Sequence, residues 1–267
     1  MRRTITTLLL IAACVYGFAC AALAVFQRSF IYFPQPAYPT GLAVTQRLPI
    51  ADATVLATVH EHAGATAVIY FGGNGDAAAL QMPSLVEAFP DTAIFALNYR
   101  GYGGSSGQPT EAALQADALV LFDDVRARHA DVIVVGRSLG SGIAIRLAAL
   151  RPVKSLVLVT PYSSIEELAQ HRFPVIPVHW LLVDKYESWR HAPEVRAPTL
   201  LIAAQNDQVV PRWSTEELLA RFRPGLARLA VIPEVGHGSI VLSREYLHLL
   251  QEVAPHERAA PLALKKR

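Results

Sequence analysis

Two serines stand in the pattern Gly-x-Ser-x-Gly. A serine hydroxyl becomes a useful nucleophile only when the backbone presents it to a base. One copy is Gly103-Gly104-Ser105-Ser106-Gly107, the other Gly136-Arg137-Ser138-Leu139-Gly140. The string alone does not choose between them, but the flanks do. A nucleophile elbow is a tight turn from a strand into a helix, so it needs one element directly before the serine and the other directly after. Val132-Ile133-Val134-Val135 leads into Ser138, and residues 139–150 lead out at helical spacing. Ser105 lies in a glycine-rich stretch, 100–109, that closes on Gln108-Pro109 and reads as a turn.

Ser138 needs a base, and the elbow arrangement puts the acid and then the base later in the chain. Of nine histidines, His237 stands between Gly236 and Gly238 just past the apolar run 229–232. The later His248 and His256 fall within or after the last helical stretch. Asp207, in Gln205-Asn206-Asp207-Gln208-Val209-Val210-Pro211, follows the run 199–203. A carboxylate there would orient the imidazole and stabilise the imidazolium. Singly, each residue is an ordinary loop or turn residue. Together, in the order Ser138, Asp207, His237 and each at a strand's C-terminal end, they form a candidate triad. Acyl transfer also requires donors for an oxyanion. The N–H of Leu139, at a helix start, is one. Phe71-Gly72-Gly73-Asn74-Gly75-Asp76 offers the other, with Gly73 the first choice and Asn74 the alternative, because glycines leave backbone donors accessible.

Competing chemistries fit less well. Gly73-x-Gly75-x-x-Ala78 loosely matches a dinucleotide fingerprint, but Asn98 ends the next strand where a ribose-binding acid is required. No cofactor is expected. His60-x-His62 lacks further ligands at suitable spacing, so no metal is expected either. Cys14 and Cys20, the only cysteines, both lie in the N-terminal apolar run, which excludes a cysteine nucleophile or disulfide framework elsewhere. The formal net charge is +2, with no basic block interleaved with aromatics, which argues against a nucleic-acid partner. Lys265-Lys266-Arg267 reads as a solvated tail.

The positioning elements are a βαβα series. Apolar runs at 67–71, 93–97, 132–135, 155–159, 199–203 and 229–232 are apolar on both faces, as central parallel strands are. Helical stretches at 110–128, 139–150, 215–222 and 243–253 separate several of them. Residues 43–45 and 54–59 read as an antiparallel edge pair. The alternation predicts a mostly parallel sheet with helices on both faces. Residues 163–195 break the pattern and read as a small lid-like insertion over the C-terminal edge of the sheet.

Before the first strand, residues 4–27 carry no charge and 5–26 are almost wholly apolar. At about 1.5 Å per residue this stretch is long enough for the roughly 30 Å hydrocarbon core. Arg2 and Arg3 precede it, which favours a cytoplasmic N-terminus and a catalytic domain on the non-cytoplasmic side. Ala22-Leu23-Ala24 offers the alternative of signal cleavage and export. Residues 1–34 are therefore expected to be an anchor and stiff connector, and 35–267 the catalytic domain.

The set Phe71-Gly-Gly-Asn, Tyr99-Arg-Gly-Tyr-Gly-x-Ser-Ser-Gly, Gly136-Arg-Ser-Leu-Gly-Ser-Gly, Asn206-Asp-x-Val-Val-Pro and Gly236-His-Gly resembles the α/β-hydrolase superfamily. It is most similar to the membrane-anchored abhydrolase-domain proteins, whose N-terminal helix runs into an Arg-x-x-x-Tyr-x-Pro segment, here Arg28 to Pro34. The resemblance implies an α/β-hydrolase fold, a Ser138–Asp207–His237 triad, an oxyanion donor at Gly73 and hydrolysis of an ester or thioester. Serine aminopeptidase-like amide cleavage is the alternative, with Glu166 and Glu167 as weak candidates for an amine pocket. A membrane-tethered binding module is a third possibility. Two departures stand out: Phe71-Gly72 where many relatives carry His-Gly, and Gly238 where Asn is common.

Overall fold

The structure is a computed structural model and describes residues 2–254. His256 and the basic 265–267 tail lie outside the described residues. The strands are β1 (Val44–Arg47), β2 (Leu56–His60), β3 (Thr66–Phe71), β4 (Ala93–Asn98), β5 (Asp131–Arg137), β6 (Ser155–Val159), β7 (Thr199–Ala204) and β8 (Ala227–Ile232). They form one sheet in the order β1-β2-β4-β3-β5-β6-β7-β8. The pairs β1·β2 and β2·β4 are antiparallel, and every pair from β4 to β8 is parallel. The two-faced apolar runs are the cause: β4 and β7 are buried at every position, which only helices on both faces can achieve.

The chain steps from β3 outward to β4, then returns across β3 to reach β5. The order therefore reverses between β3 and β5. In open α/β sheets a crevice opens at that switch point, outside the strands' C-terminal ends. The loops after β3 and β5 hold the Gly73 stretch and Ser138.

One face is covered by α3 (Glu111–Arg128), α4 (Leu139–Leu150) and α8 (Arg212–Arg221), which bury Leu121, Ile143 and Leu218. Thr110 starts α3 by accepting the Ala113 N–H on its hydroxyl at 3.1 Å; such a cap is worth about 1 kcal/mol. The other face is covered by α2 (Ala78–Ala88) and α9 (Arg244–Gln251), which bury Met82, Leu85 and Leu249. Helix α2 is the element that sequence spacing underplays, because Pro83 stands inside it and a proline removes a helical hydrogen bond. Burial of Met82 and Leu85 outweighs that cost.

Between β6 and β7 the chain forms short helices, α5 (Ile165–Arg172), α6 (Val178–Leu181) and α7 (Ser188–His191). Ahead of the sheet, α1 runs from Arg2 to Ile31 and is long and apolar enough to cross a membrane. Its burial within the protein is confined to the C-terminal end, at Ile31.

Candidate active site

The site begins with a strained turn. β5 ends at Arg137 and α4 begins at Leu139, so Ser138 alone makes the reversal, with φ 48° and ψ −117°. A non-glycine residue at positive φ costs on the order of 1–3 kcal/mol. The surroundings hold it there: the Ser138 N–H donates to Val159 O at 2.8 Å, and its carbonyl accepts from the Ser141 hydroxyl at 2.7 Å. Close approach is the second requirement. A Cβ at Gly140 would lie 2.1 Å from Phe71 O, so only glycine lets α4 start against the end of β3.

His237 follows β8, and its Nε2 lies 2.9 Å from Ser138 Oγ. Its Nδ1 lies 2.8 Å from Asp207 Oδ2. An ionised carboxylate only accepts, so Nδ1 carries the hydrogen and Nε2 is left to accept from the serine hydroxyl. Asp207 is itself oriented: its Oδ1 accepts the N–H groups of Val209 and Val210, each at 2.8 Å. The side chains of Asp207 and His237 are 5% and 16% exposed, so their interaction is little screened by water. The sequence-predicted Ser138, Asp207 and His237 thus meet at one end of the sheet, although 99 and 30 residues separate the hydrogen-bonded pairs.

The first choice of loop donor, Gly73, meets a competing acceptor. Gly73 does sit beside the serine, since a Cβ placed on it would lie 3.6 Å from Ser138 Cβ. Its N–H, however, already donates to Asp76 Oδ2 at 2.7 Å. The Asn74 carbonyl accepts from Phe33 N–H at 3.1 Å and Tyr102 O–H at 2.7 Å. The N–H groups of Asn74 and Leu139 take no partner among the described residues.

Asp76 and Arg137 are the residues that sequence reasoning missed. Their side chains form a buried ion pair. Arg137 Nη2 also donates to His237 O at 3.3 Å, and Asp76 Oδ2 accepts from Tyr70 O–H at 3.1 Å. Burial works against the Arg137 charge, but the facing Asp76 carboxylate outweighs it and holds the guanidinium above its ordinary pKa. This pair links the loop after β3, the elbow and the histidine loop. A charged residue next to the serine, inside an otherwise apolar strand end, was the available signal.

Ser105 has a different setting. Its hydroxyl donates to Asn98 O at 2.8 Å and accepts from Leu56 N–H at 3.0 Å, and the residue is buried. Among the described residues no imidazole is its hydrogen-bond partner, and this Gly-x-Ser-x-Gly copy locks the loop.

A family model of the α/β-hydrolase fold matches residues 66–181. An uncharacterized protein of Mycobacterium tuberculosis is 32% identical over 229 residues, covering 79% of this chain and 80% of that protein. The lysophosphatidylserine lipase ABHD12 of Xenopus tropicalis is 33% identical over 138 residues, 44% of this chain and 36% of that longer protein. Among solved structures, a Pyrococcus furiosus esterase superimposes with a TM-score of 0.65 at 17% identity, covering 82% of this chain and 96% of its own. That likeness shows the fold alone; the Mycobacterium relative carries the kinship along most of both chains. The chain belongs to the α/β-hydrolase family, with an abhydrolase-type domain behind an N-terminal apolar helix.

Proposed function

We propose that this protein is a serine hydrolase cleaving a carboxylic ester or thioester through an acyl-enzyme. The observation that carries it is the continuous chain Ser138 Oγ–His237–Asp207, with contacts of 2.9 and 2.8 Å. Ser138 Oγ attacks the carbonyl carbon while His237 Nε2 takes its proton. Asp207 stabilises the imidazolium. The N–H groups of Leu139 and Asn74 hold the oxyanion, and the start of α4 adds its dipole. Collapse breaks the bond to the alcohol or thiol, which leaves with the proton from His237. Water then attacks the acyl carbon as His237 takes its proton, the bond from that carbon to Ser138 Oγ breaks, and the imidazolium returns the proton to Oγ as the acid leaves.

The amide-cleaving alternative needs a carboxylate free to hold a substrate ammonium. Glu166 is engaged by Lys185 at 2.8 Å and by His179 at 2.7 Å. Burial raises the Glu167 carboxyl above its ordinary value. The engagement of Glu166 favours the ester reading.

Residues 163–195 act as a lid lining the path to Ser138, and α1 is retained as a single-pass anchor with the catalytic domain outside the cytoplasm. Retention is supported by hydrogen bonds that tie α1 to the 163–195 segment, from Gln27 to Leu181 O at 3.0 Å and from Tyr16 to Val175 O at 2.6 Å.

A fluorophosphonate probe tests the nucleophile. The wild type and Ser105→Ala should label and Ser138→Ala should not; labelling of Ser138→Ala would refute the assignment. Turnover of p-nitrophenyl esters against aminoacyl anilides separates ester from amide preference.

A further inference from the structure

Helix α1 does more in this fold than leave it. Residues 2–19 are exposed, and from Cys20 onward the helix turns against the 163–195 segment. Polar pins fix the two together. Gln27 Nε2 donates to Leu181 O at 3.0 Å, and Gln27 Oε1 accepts from Val183 N–H at 2.7 Å. Arg28 Nε and Tyr32 O–H both donate to Asp184 Oδ2, at 3.0 and 3.1 Å. The Asp184 side chain is only 4% exposed, so breaking this contact would strand a buried charge.

Between the pinned walls lies an apolar groove of about 560 Å³, within the range of small-molecule sites. Leu23 and Phe30 of α1 form one wall, Leu168, Ala169 and Ile176 the other, and Val209 part of the floor. The groove adjoins the triad, because the lining Val209 N–H is one of the two that orient Asp207. The α1 wall leads to the oxyanion loop, because Phe33 N–H donates to Asn74 O at 3.1 Å, two residues past the groove-lining Ile31.

The outer end of the groove has its own character. Phe173, Val175 and Trp180 are exposed, Trp180 at 83%, and the Tyr16 hydroxyl donates to Val175 O. An exposed apolar rim with a tryptophan suits the membrane interface. Residues 2–15 of α1 extend beyond it by about 21 Å of helix, most of the roughly 30 Å of a hydrocarbon core.

We infer that α1 is a wall of the substrate site: a single long acyl chain passes from the bilayer along α1 into this groove, and its ester carbonyl reaches Ser138. The inference rests on the serine-hydrolase reading and adds to it the acyl class and the anchor's part in binding.

The test uses the full chain in lipid nanodiscs and p-nitrophenyl esters from acetate to dodecanoate, with active sites counted by a fluorophosphonate. kcat/KM should rise with chain length, by up to about fourfold per methylene, until the groove is filled. Leu23→Trp and Ala169→Trp obstruct the groove from opposite walls. Each should lower the dodecanoate-to-acetate ratio of kcat/KM by about tenfold or more, the equivalent of withholding two or more methylenes from apolar burial. Phe18→Trp, on the part of α1 beyond the groove, should leave the ratio unchanged. A ratio that falls for Ala169→Trp but not for Leu23→Trp would remove the anchor from the site. A ratio unmoved by both would overturn the groove altogether. A tryptophan variant that fails to fold is replaced by Leu23→Phe or Ala169→Leu, read in the same way. A wild-type protein that never labels would instead refute the hydrolase reading itself.

Discussion

The two Gly-x-Ser-x-Gly copies share a string and almost nothing else. At Ser138 the backbone spends strain, φ 48°, to lift a hydroxyl out of the hydrogen-bonding needs of its own loop and toward His237. At Ser105 the hydroxyl is consumed by those needs, with Asn98 O and Leu56 N–H as partners. The glycines differ in the same way. Gly140 is required by backbone passing close to backbone, while Gly103, at φ +57°, is required by a side chain: a Cβ there would lie 2.2 Å from Asn98 Oδ1. A motif of this kind has no chemistry of its own; the elements on either side give it one.

Substitutions can break this contrast, and the largest effect is expected at the triad. Asp207→Asn should lower kcat by about 10⁴-fold, because the amide would favour the wrong imidazole tautomer, while fluorescence and circular dichroism stay native. Gly140→Ala comes next. It forces α4 away from Phe71 O, and we expect kcat/KM to fall by about a hundredfold, as a misplacement of roughly 1 Å does at a reacting centre. Gly103→Ala should instead leave the kinetics of the folded enzyme near wild type and lower the melting temperature. Ser105→Ala should cost about 1 kcal/mol in denaturant unfolding, since it leaves the half-buried Leu56 N–H without its acceptor, with little change in kcat. An activity loss larger for Ser105→Ala than for Asp207→Asn would invert the contrast.

The smallest expected effect sharpens a different feature, the half-buried Glu111. Burial holds its carboxyl above the ordinary value, against hydrogen bonds from the Tyr186 N–H and the Gln115 amide. The folded protein therefore binds that proton more tightly than the unfolded chain does. The resulting stability is full below the unfolded value of about 4.3 and is lost as pH rises through the raised folded value. Glu111→Gln is neutral throughout. Its melting temperature relative to wild type should become more favourable as pH goes from 4 to 7, and a flat difference would refute the sign.

Much of this was legible in the sequence because strand ends advertise themselves. Each triad residue directly follows a short apolar run, and parallel strands deliver their C-terminal ends to one edge, so the order of runs located Ser138, Asp207 and His237 together. The edge pair β1·β2 was legible for the related reason that it precedes the first crossover. What stayed hidden depends on side chains meeting across the fold. Asp76 and Arg137 are 61 residues apart, and neither belongs to a periodic pattern. The capture of the Gly73 amide by Asp76 is invisible for the same reason. Helix α2 was obscured by Pro83, and the seating of α1 on the 163–195 segment rests on hydrogen bonds spanning more than 150 residues.

The reach of Arg137 has a consequence for how the enzyme tolerates heat. His237 rides on the loop after β8, a strand at one margin of the sheet and more exposed than the inner parallel strands. Marginal strands are the first to open in local fluctuations, and such opening would carry the imidazole off its serine. By holding His237 O from the inner strand β5, the Arg137 guanidinium ties that marginal loop to the centre of the sheet, so that opening at the rim has to break this contact as well.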